Sequence, residues 1–376
     1  MLSSILILVV AFLSLIALMI IHEFGHFIIA KKFGVRVDEF GIGYPPRIFG
    51  KKIGETIYSV NWIPLGAFVR IYGEEGGLDD LRSFSNLKIW KRVLIVIGGV
   101  VAFWIAAIII FTIVFAMGAD LPVGDQDISG LTNARVQVVA VSYDSPASHA
   151  GIKIGDTIKD VTVSGADTKI NKTSDFIKIA GDNKGKEITL TIDRAGKDFN
   201  TTLTPRINPP AGEGSVGVGL ERMATLIQKT AWYMAPVQGV IYTWQTTVNS
   251  LVGIYQTLAS LFERKGLPAG AAFAGPIGIT VFLANAASYG LGFFLYFIGT
   301  ISVLVAIFNL FPIPALDGGK LIFLLIEKIK GKPVSVKVEQ TITLVFFVIL
   351  ICLSLFITVR FDIPRVIDFF KASFQK

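Results

Sequence analysis

The chain has 376 residues, of which 52% are hydrophobic and 17% charged, and its mean hydropathy is +0.64. That composition excludes an ordinary soluble globular protein and fits a polytopic membrane protein with a soluble insert. The net charge of +7 does not point to nucleic acid, because the basic residues cluster beside apolar segments as cytoplasmic flanks do next to anionic lipid; the single cysteine, Cys352, excludes an intrachain disulfide and reads as a small core or lipid-facing residue.

The first element is an uncharged apolar run over 5–21. It has no basic stretch before it and leads straight into His22-Glu23-Phe24-Gly25-His26, so it reads as a retained transmembrane helix and not as a cleaved leader. Ionisable groups inside a bilayer cost about 2.5–3.5 kcal/mol each near its centre, so a membrane helix that carries three of them is expected to use them. His22 and His26 are four residues apart and share one helix face, the spacing that lets two imidazoles grip one zinc ion. Glu23 is the next residue round the helix and is placed to take a proton from a metal-bound water. The competing reading is a chance HExxH pattern. The remaining histidine, His149, falls in a soluble segment and reads as a surface residue.

Four spanning segments are predicted, at about 5–30, 93–117, 291–311 within the uncharged stretch 266–316, and 341–359, each long enough for a hydrocarbon core of about 30 Å. Lys31, Lys32, Arg36, Arg47, Lys51, Lys52, Lys88, Lys91 and Arg92 fall between the first two, and Lys320, Lys328, Lys330, Lys332 and Lys337 between the last two. The positive-inside rule makes both loops cytoplasmic and turns both termini and 120–266 outward.

Between the first two spans, 40–71 is broken by Gly41, Gly43, Pro45, Pro46, Gly50, Gly54, Pro64 and Gly66, with β-prone pieces at 56–60 and 67–70. It reads as a glycine-rich β-hairpin or sheet near the membrane surface, against the alternative of an irregular loop. The outward insert alternates strands at 135–141, 157–163, 187–194 and 198–204 with short helices opened by Asp144-Ser145-Pro146-Ala147 and capped by Ser174. Its length suits one small α+β domain. Residues 231–261, nearly uncharged but mixed with Gln, Thr, Asn and Ser, read as amphipathic helices on the outer membrane surface, a further span being the alternative.

A zinc hydrolase usually has three protein ligands, and no third histidine is within membrane range. The stretch 308–319 offers Asp317, beside Gly318 and Gly319 and after the helix breakers Pro312 and Pro314. Alone, Asp317 fits a helix cap as well as a ligand; at the same membrane end as HEFGH, the ligand reading leads. Asn309 is either an interhelical hydrogen-bond former or a donor to a substrate carbonyl. Glu327 and Glu339, the other candidate ligands, lie in the lysine-rich loop, poorly placed to reach His22.

These motifs in this order, HEFGH, then Pro64-Leu65-Gly66-Ala67-Phe68-Val69, Gly275-Pro276-Ile277-Gly278-Ile279, and Asn309 with Leu316-Asp317-Gly318-Gly319, resemble the site-2 intramembrane metalloproteases, in particular the bacterial type that cleaves membrane-bound anti-sigma factors. Ser145-Pro146-Ala147, Ala150-Gly151-Ile152 and Gly155-Asp156 resemble a PDZ domain. The resemblance implies a polytopic α-helical membrane protein of about four transmembrane helices, with a re-entrant β-hairpin and an extracytoplasmic α+β PDZ domain. It implies one zinc ion held by His22, His26 and Asp317, Glu23 as general base, and Asn309 against the substrate. The implied segments are 1–35 (first helix), 36–75 (re-entrant hairpin), 76–119 (loop and second helix), 125–208 (PDZ), 209–290 (extracytoplasmic linker and amphipathic helices), 291–330 (third helix and LDGG) and 331–376 (fourth helix and tail). The implied activity is cleavage of membrane-protein substrates already trimmed by another protease, in the bilayer of a bacterial inner membrane, with no nucleic-acid partner. The second helix departs from the family: Gly98-Gly99-Val100-Val101-Ala102-Phe103 lacks the asparagine often found four residues after a glycine there. A catalytically inactive PDZ adaptor would have no need of Glu23, and a transporter would carry inverted repeats and charges in several helices.

Overall fold

The structure, a computed structural model, describes residues 2–74, 80–118, 120–125, 131–142, 144–194, 196–210, 213–226, 232–263, 274–287 and 290–367. Ala195 in the expected turn, parts of the 209–290 linker and the end of the C-terminal tail lie outside those residues.

Helix α1 (Leu2–Lys32) is uncharged and largely apolar on all sides as far as Ile21, as suits a lipid-embedded helix, and carries Lys31 and Lys32 in its last turn, against the negative end of its dipole. With it, α2 (Ile89–Ala116), α7 (Leu291–Asn309) and the helix over Val336–Ile367 are the four described helices long and apolar enough to cross a membrane. The last of these comprises α9 (Val336–Ile357) and its continuation through the π-helical turn Thr358–Asp362. No residue of α9 is buried inside the protein, so its apolar side chains are left for lipid.

After α1 the chain forms β1 (Val37–Ile53) and β2 (Thr56–Ile71), two long strands that bend back on themselves. Phe40 pairs with both Val69 and Tyr58, and Gly41 with both Phe68 and Ser59, so the first half of β1 is central. The outer half of β1 pairs with 56–61, which makes 67–71 one edge and 47–53 the other. The expected glycine-rich hairpin is thus folded into four antiparallel segments. Glu39, buried in it, accepts from Ser59 Oγ at 2.6 Å and Arg47 Nη2 at 2.7 Å, which neutralises its charge.

Beyond α2, a separate domain is built on β3 (Asp120–Pro122), β4 (Leu131–Val141), α3 (Pro146–His149), β5 (Thr157–Val163), β6 (Ala166–Lys169), α4 (Thr173–Asp182), β7 (Ile188–Arg194), β8 (Lys197–Leu203) and β9 (Val218–Leu226). Its sheet order is β3-β9-β4-β5-β7-β8, with β6 on β5. The alternating inward residues Val136, Val138, Ile158, Val161, Ile188, Leu190 and Ile192 close one core with Ala147, Phe176 and Ala180. Helix α4 starts two residues before the sequence suggests. Ser174 lies inside it, and the cap comes instead from Asp175, which accepts from Lys172 N at 2.9 Å, and from the distant Asp125.

Residues expected to form several surface helices make one continuous helix, α5 (Ala235–Phe262), packed along α2 and α7. Gly239 lets it approach Ile108 and Thr112, Tyr242 meets the Phe111 and Phe115 rings, and Thr243 and Thr247 satisfy their hydroxyls on carbonyls one turn back. That internal bonding is why so polar a helix can lie against the bundle. The short α6 (Pro276–Ala287) packs on α1, and α8 (Asp317–Lys330) follows α7 after the turn made by Pro312 and Pro314.

Candidate metal centre

HEFGH lies in the last turns of α1, so His22 and His26 project from one face. That face is turned to α2, and two glycines permit it. A Cβ on Gly25 would stand 2.3 Å from Gly98 O, and one on Gly99 would stand 2.3 Å from His26 Nε2 and 2.6 Å from His22 Cε1. The two helices therefore cross backbone to backbone, as small residues allow in membranes. Phe103, one turn further along α2, stacks on the His22 ring at 4.7 Å between centroids.

Asp317 reaches the histidines from the other side. The turn after α7 sets its position: Leu316 N donates to Ile313 O at 2.9 Å, and Gly318 and Gly319 lie so close to the main chain of 310–314 that a Cβ on either would clash. Asp317 is the first residue of α8, where a cap would sit, yet its buried Oδ2 accepts no hydrogen bond. It lies 3.5 Å from His22 Nε2 and 3.5 Å from His26 Nε2, which are themselves 3.2 Å apart.

Three electron-pair donors converging at those distances are the observation that tests the fit of a metal. Two donors each about 2.0–2.1 Å from a tetrahedral zinc stand about 3.3–3.4 Å apart, so the cluster has the dimensions of a zinc site. The tautomer agrees. His26 Nδ1 is 2.9 Å from Ile95 O, a pure acceptor, so Nδ1 carries the proton and Nε2 keeps its lone pair for the ion. Among the described residues this is the one group of three His, Cys, Asp or Glu side chains close enough to share a metal.

Glu23 points away from this face to the hairpin. Its Oε2 accepts from Val69 N at 3.0 Å, on the edge segment 67–71 of β2. The base candidate is thereby held between the metal ligands and a strand edge. Asn309, the last residue of α7, donates from Nδ2 to Val305 O at 2.9 Å within its own helix. Glu327 is not a competing ligand: it forms a two-pronged ion pair with Arg92 of α2, Nη1 to Oε2 at 2.9 Å and Nη2 to Oε1. His149 is exposed near Asp144, in keeping with a surface residue.

Sequence reasoning missed Gly99, Phe103 and Ile95, which shape and orient the histidines from α2. The adjacent Gly98-Gly99 in an otherwise bulky apolar helix was the available signal. It also missed a cavity of about 570 Å³ beside Asp317, between α8 and α9, lined by Glu74, Arg92, Lys320, Thr343 and Phe347 among others.

The sequence model of peptidase family M50 matches residues 10–353. A putative zinc metalloprotease of Clostridium perfringens is 32% identical over 350 residues, covering 93% of this chain and 96% of that one. The regulator of sigma-E protease RseP of Escherichia coli is 28% identical, covering 90% of this chain and 95% of its own length. The zinc metalloprotease RasP of Geobacillus kaustophilus is 24% identical, over 91% and 94%. A PDZ domain of a Listeria monocytogenes protein aligns with 24% of this chain and 90% of that domain, at 20% identity and a TM-score of 0.21. The family match runs from within the first apolar helix, across HEFGH and Asp317, into the last apolar helix, and the chain belongs to peptidase family M50.

Proposed function

We infer that this chain is a zinc-dependent intramembrane endopeptidase of the site-2 type, a multi-pass protein of a bacterial inner membrane acting on membrane-protein substrates. The convergence of His22 Nε2, His26 Nε2 and Asp317 Oδ2 next to Glu23 carries that reading. His22, His26 and Asp317 are assigned as the ligands. Bound zinc supplies a Lewis acid and brings the pKa of water to about 7.

The rest of the chemistry belongs to the chain's own residues. Glu23 takes a proton at its carboxylate and returns it to the leaving amine. A substrate helix keeps its amides in internal hydrogen bonds and must be opened before its carbonyl can be attacked. We assign that role to the edge segment 67–71, where an added, extended substrate strand runs alongside Val69, whose N–H already sits on Glu23. The re-entrant reading of the hairpin is supported by its exposed Tyr44, Ile48, Phe49, Trp62, Ile63 and Leu65, a surface suited to lipid. Asn309 is assigned to the substrate oxyanion, to which its carboxamide turns by leaving Val305 O.

By the distribution of lysine and arginine, the metal centre lies toward the cytoplasmic side and the 131–226 domain outside. That domain is read as a PDZ module from its short helix after Ser145, its strand order and the α4 helix packed on the sheet, and as a filter for substrates trimmed by another protease.

The test pairs metal analysis with cleavage of a tagged single-span substrate by purified protein. Wild type should hold one zinc per chain and cleave, and Glu23→Gln should keep zinc and lose cleavage. A Glu23→Gln protein as active as wild type, or a wild type without zinc, would sink the reading in favour of a peptide-binding adaptor.

A further inference from the structure

The domain after α2 offers one sheet edge to a ligand, and part of the chain already lies on it. An extended peptide binds a PDZ module by adding a strand to the edge next to the helix, antiparallel and with its C-terminus pointing toward the loop before that strand. Here that strand is β9, that helix α4 and that loop 213–217. Ile179 and Phe176 of α4 share an apolar cluster with Val216, Val218 and Leu220. One side of β9 is paired with β4 from Leu226 down to Val218, with irregularities between Thr132 and Arg135 and between Val138 and Ala140.

The other side is taken, at its far end, by β3. Asp120, Leu121 and Pro122 pair antiparallel with Thr225, Ala224 and Met223, and Val123 N donates to Arg222 O at 2.9 Å. The segment therefore travels in a PDZ ligand's direction, toward the 213–217 loop. It then turns onto α4, where the Asp125 carboxylate accepts from Thr173 N at 2.8 Å, Thr173 Oγ1 at 2.7 Å and Ser174 N at 2.8 Å. Burial alone pushes the Asp125 carboxyl up, but these donors outweigh it and hold it below the ordinary aspartate value, so the clamp is charged at neutral pH. With period two, the next main-chain groups turned to the same side as Arg222 are those of Leu220 and Val218, directly ahead of the segment.

We propose that residues 120–125 are a built-in competitor for the β9–α4 groove: they fill the register that an incoming peptide needs, and Asp125 on Thr173 and Ser174 is the clasp that keeps them there. This rests on the PDZ reading of the domain. The far end of the groove, along 222–225, is occupied in the resting protein, and an extended peptide that reaches past Leu220 enters by strand exchange, lifting off a segment that is joined through three residues to α2, the helix that orients His22 and His26. The clasp joins a loop to a helix far apart in sequence, and breaking it removes three charge-assisted hydrogen bonds.

Two fluorescent probes test this on the full chain in detergent. The first is a synthetic peptide of residues 119–125 with a free C-terminal carboxylate, and the second is the same peptide amidated. Asp125→Ala in the chain leaves Thr173 and Ser174 available to the probe's own aspartate, so it should bind the free-acid peptide about tenfold or more tightly than wild type does. In wild type with excess peptide, the Val123 amide should lose its protection from hydrogen exchange, a readout that does not depend on the variant's folding. Equal binding of the free acid by wild type and Asp125→Ala, or a Val123 amide that stays protected with peptide bound, overturns the competitor while leaving the PDZ module in place. An Asp125→Ala chain that binds neither form of the peptide overturns the PDZ reading itself.

Discussion

At the scale of single residues, the centre is defined as much by what is missing as by what is present. Gly99 has no side chain because the His22 and His26 rings occupy the space, and a Cβ there would force both rings to move. Gly99→Ala should therefore lower zinc affinity about 10–100-fold, the range seen when groups that orient metal ligands are disturbed. Zinc titration of the purified variant checks this, and wild-type affinity would show that the rings have slack. Asp317→Ala removes one of the three assigned ligands and should leave no zinc after dialysis, while Asp317→Asn, the same size, separates the loss of charge from the loss of shape. Much of this was legible in the sequence, because HExxH is a local pattern: a four-residue spacing is a statement about one helix face. For Asp317 the sequence leaves cap and ligand side by side, and the carboxylate oxygen without a hydrogen-bond donor favours its assignment as a ligand. Gly99, Phe103 and Ile95 were not legible as site residues, because their roles arise where two helices cross, and no local period records a crossing.

At the scale of elements, α8 brings Asp317 to the histidines and α2 holds α8. The link is Arg92 with Glu327, whose side chains are only 10% and 15% exposed, backed by the Lys320–Glu74 pair next to the cavity. Removing one partner of a buried pair strands a charge and costs about 3–5 kcal/mol, whereas replacing both by apolar residues can be neutral. Arg92→Met alone should thus lower the melting temperature and zinc occupancy together, and Arg92→Met with Glu327→Leu should restore much of both. Additive losses in the double variant would show that the pair does not set the helix. The hairpin edge supports a separate prediction. Val69→Pro deletes the N–H given to Glu23 and spoils strand addition on 67–71, so cleavage should fall about 10²-fold through misplacement while zinc per chain stays at the wild-type value. Unchanged cleavage would remove substrate pairing from that edge. The glycines and β-prone pieces revealed a hairpin, but not its doubling back, in which one stretch of β1 pairs on both sides. Register is fixed by what each face meets, and the faces here meet α1 and an apolar exterior that the strand pattern does not name.

At the scale of the whole molecule, the buried apolar residues fall into two groups. One is the core of the 131–226 domain, which contains no residue of the spanning helices; the other comprises the cores that hold α1, α2, α6, α7 and α8 together, and Met223 of β9 links the two by packing with Ala286 of α6 and Phe293 of α7. The metal centre lies wholly within the second group, where its three donors tie the end of α1 to the start of α8, and His26 Nδ1 extends the tie to α2 through Ile95 O. Without a cation, the buried Asp317 Oδ2 has no hydrogen-bond partner, which favours separation of α8 from α1. Binding at a free zinc level a thousandfold above the dissociation constant would stabilise the assembled helices by about 4 kcal/mol. A strong chelator should therefore lower the apparent melting temperature of the wild type, and zinc should restore it, while Asp317→Ala should respond to neither. The response should also be local. Amides in the last turns of α1 and in α8 should exchange faster in chelator, and those of β4, β5 and β7 should keep their rates, because their burial owes nothing to the centre. Loosening of both regions at once would mean that the metal holds the fold as a unit; no loosening of α8 would mean that Arg92 and Glu327 fix it without help from the ion.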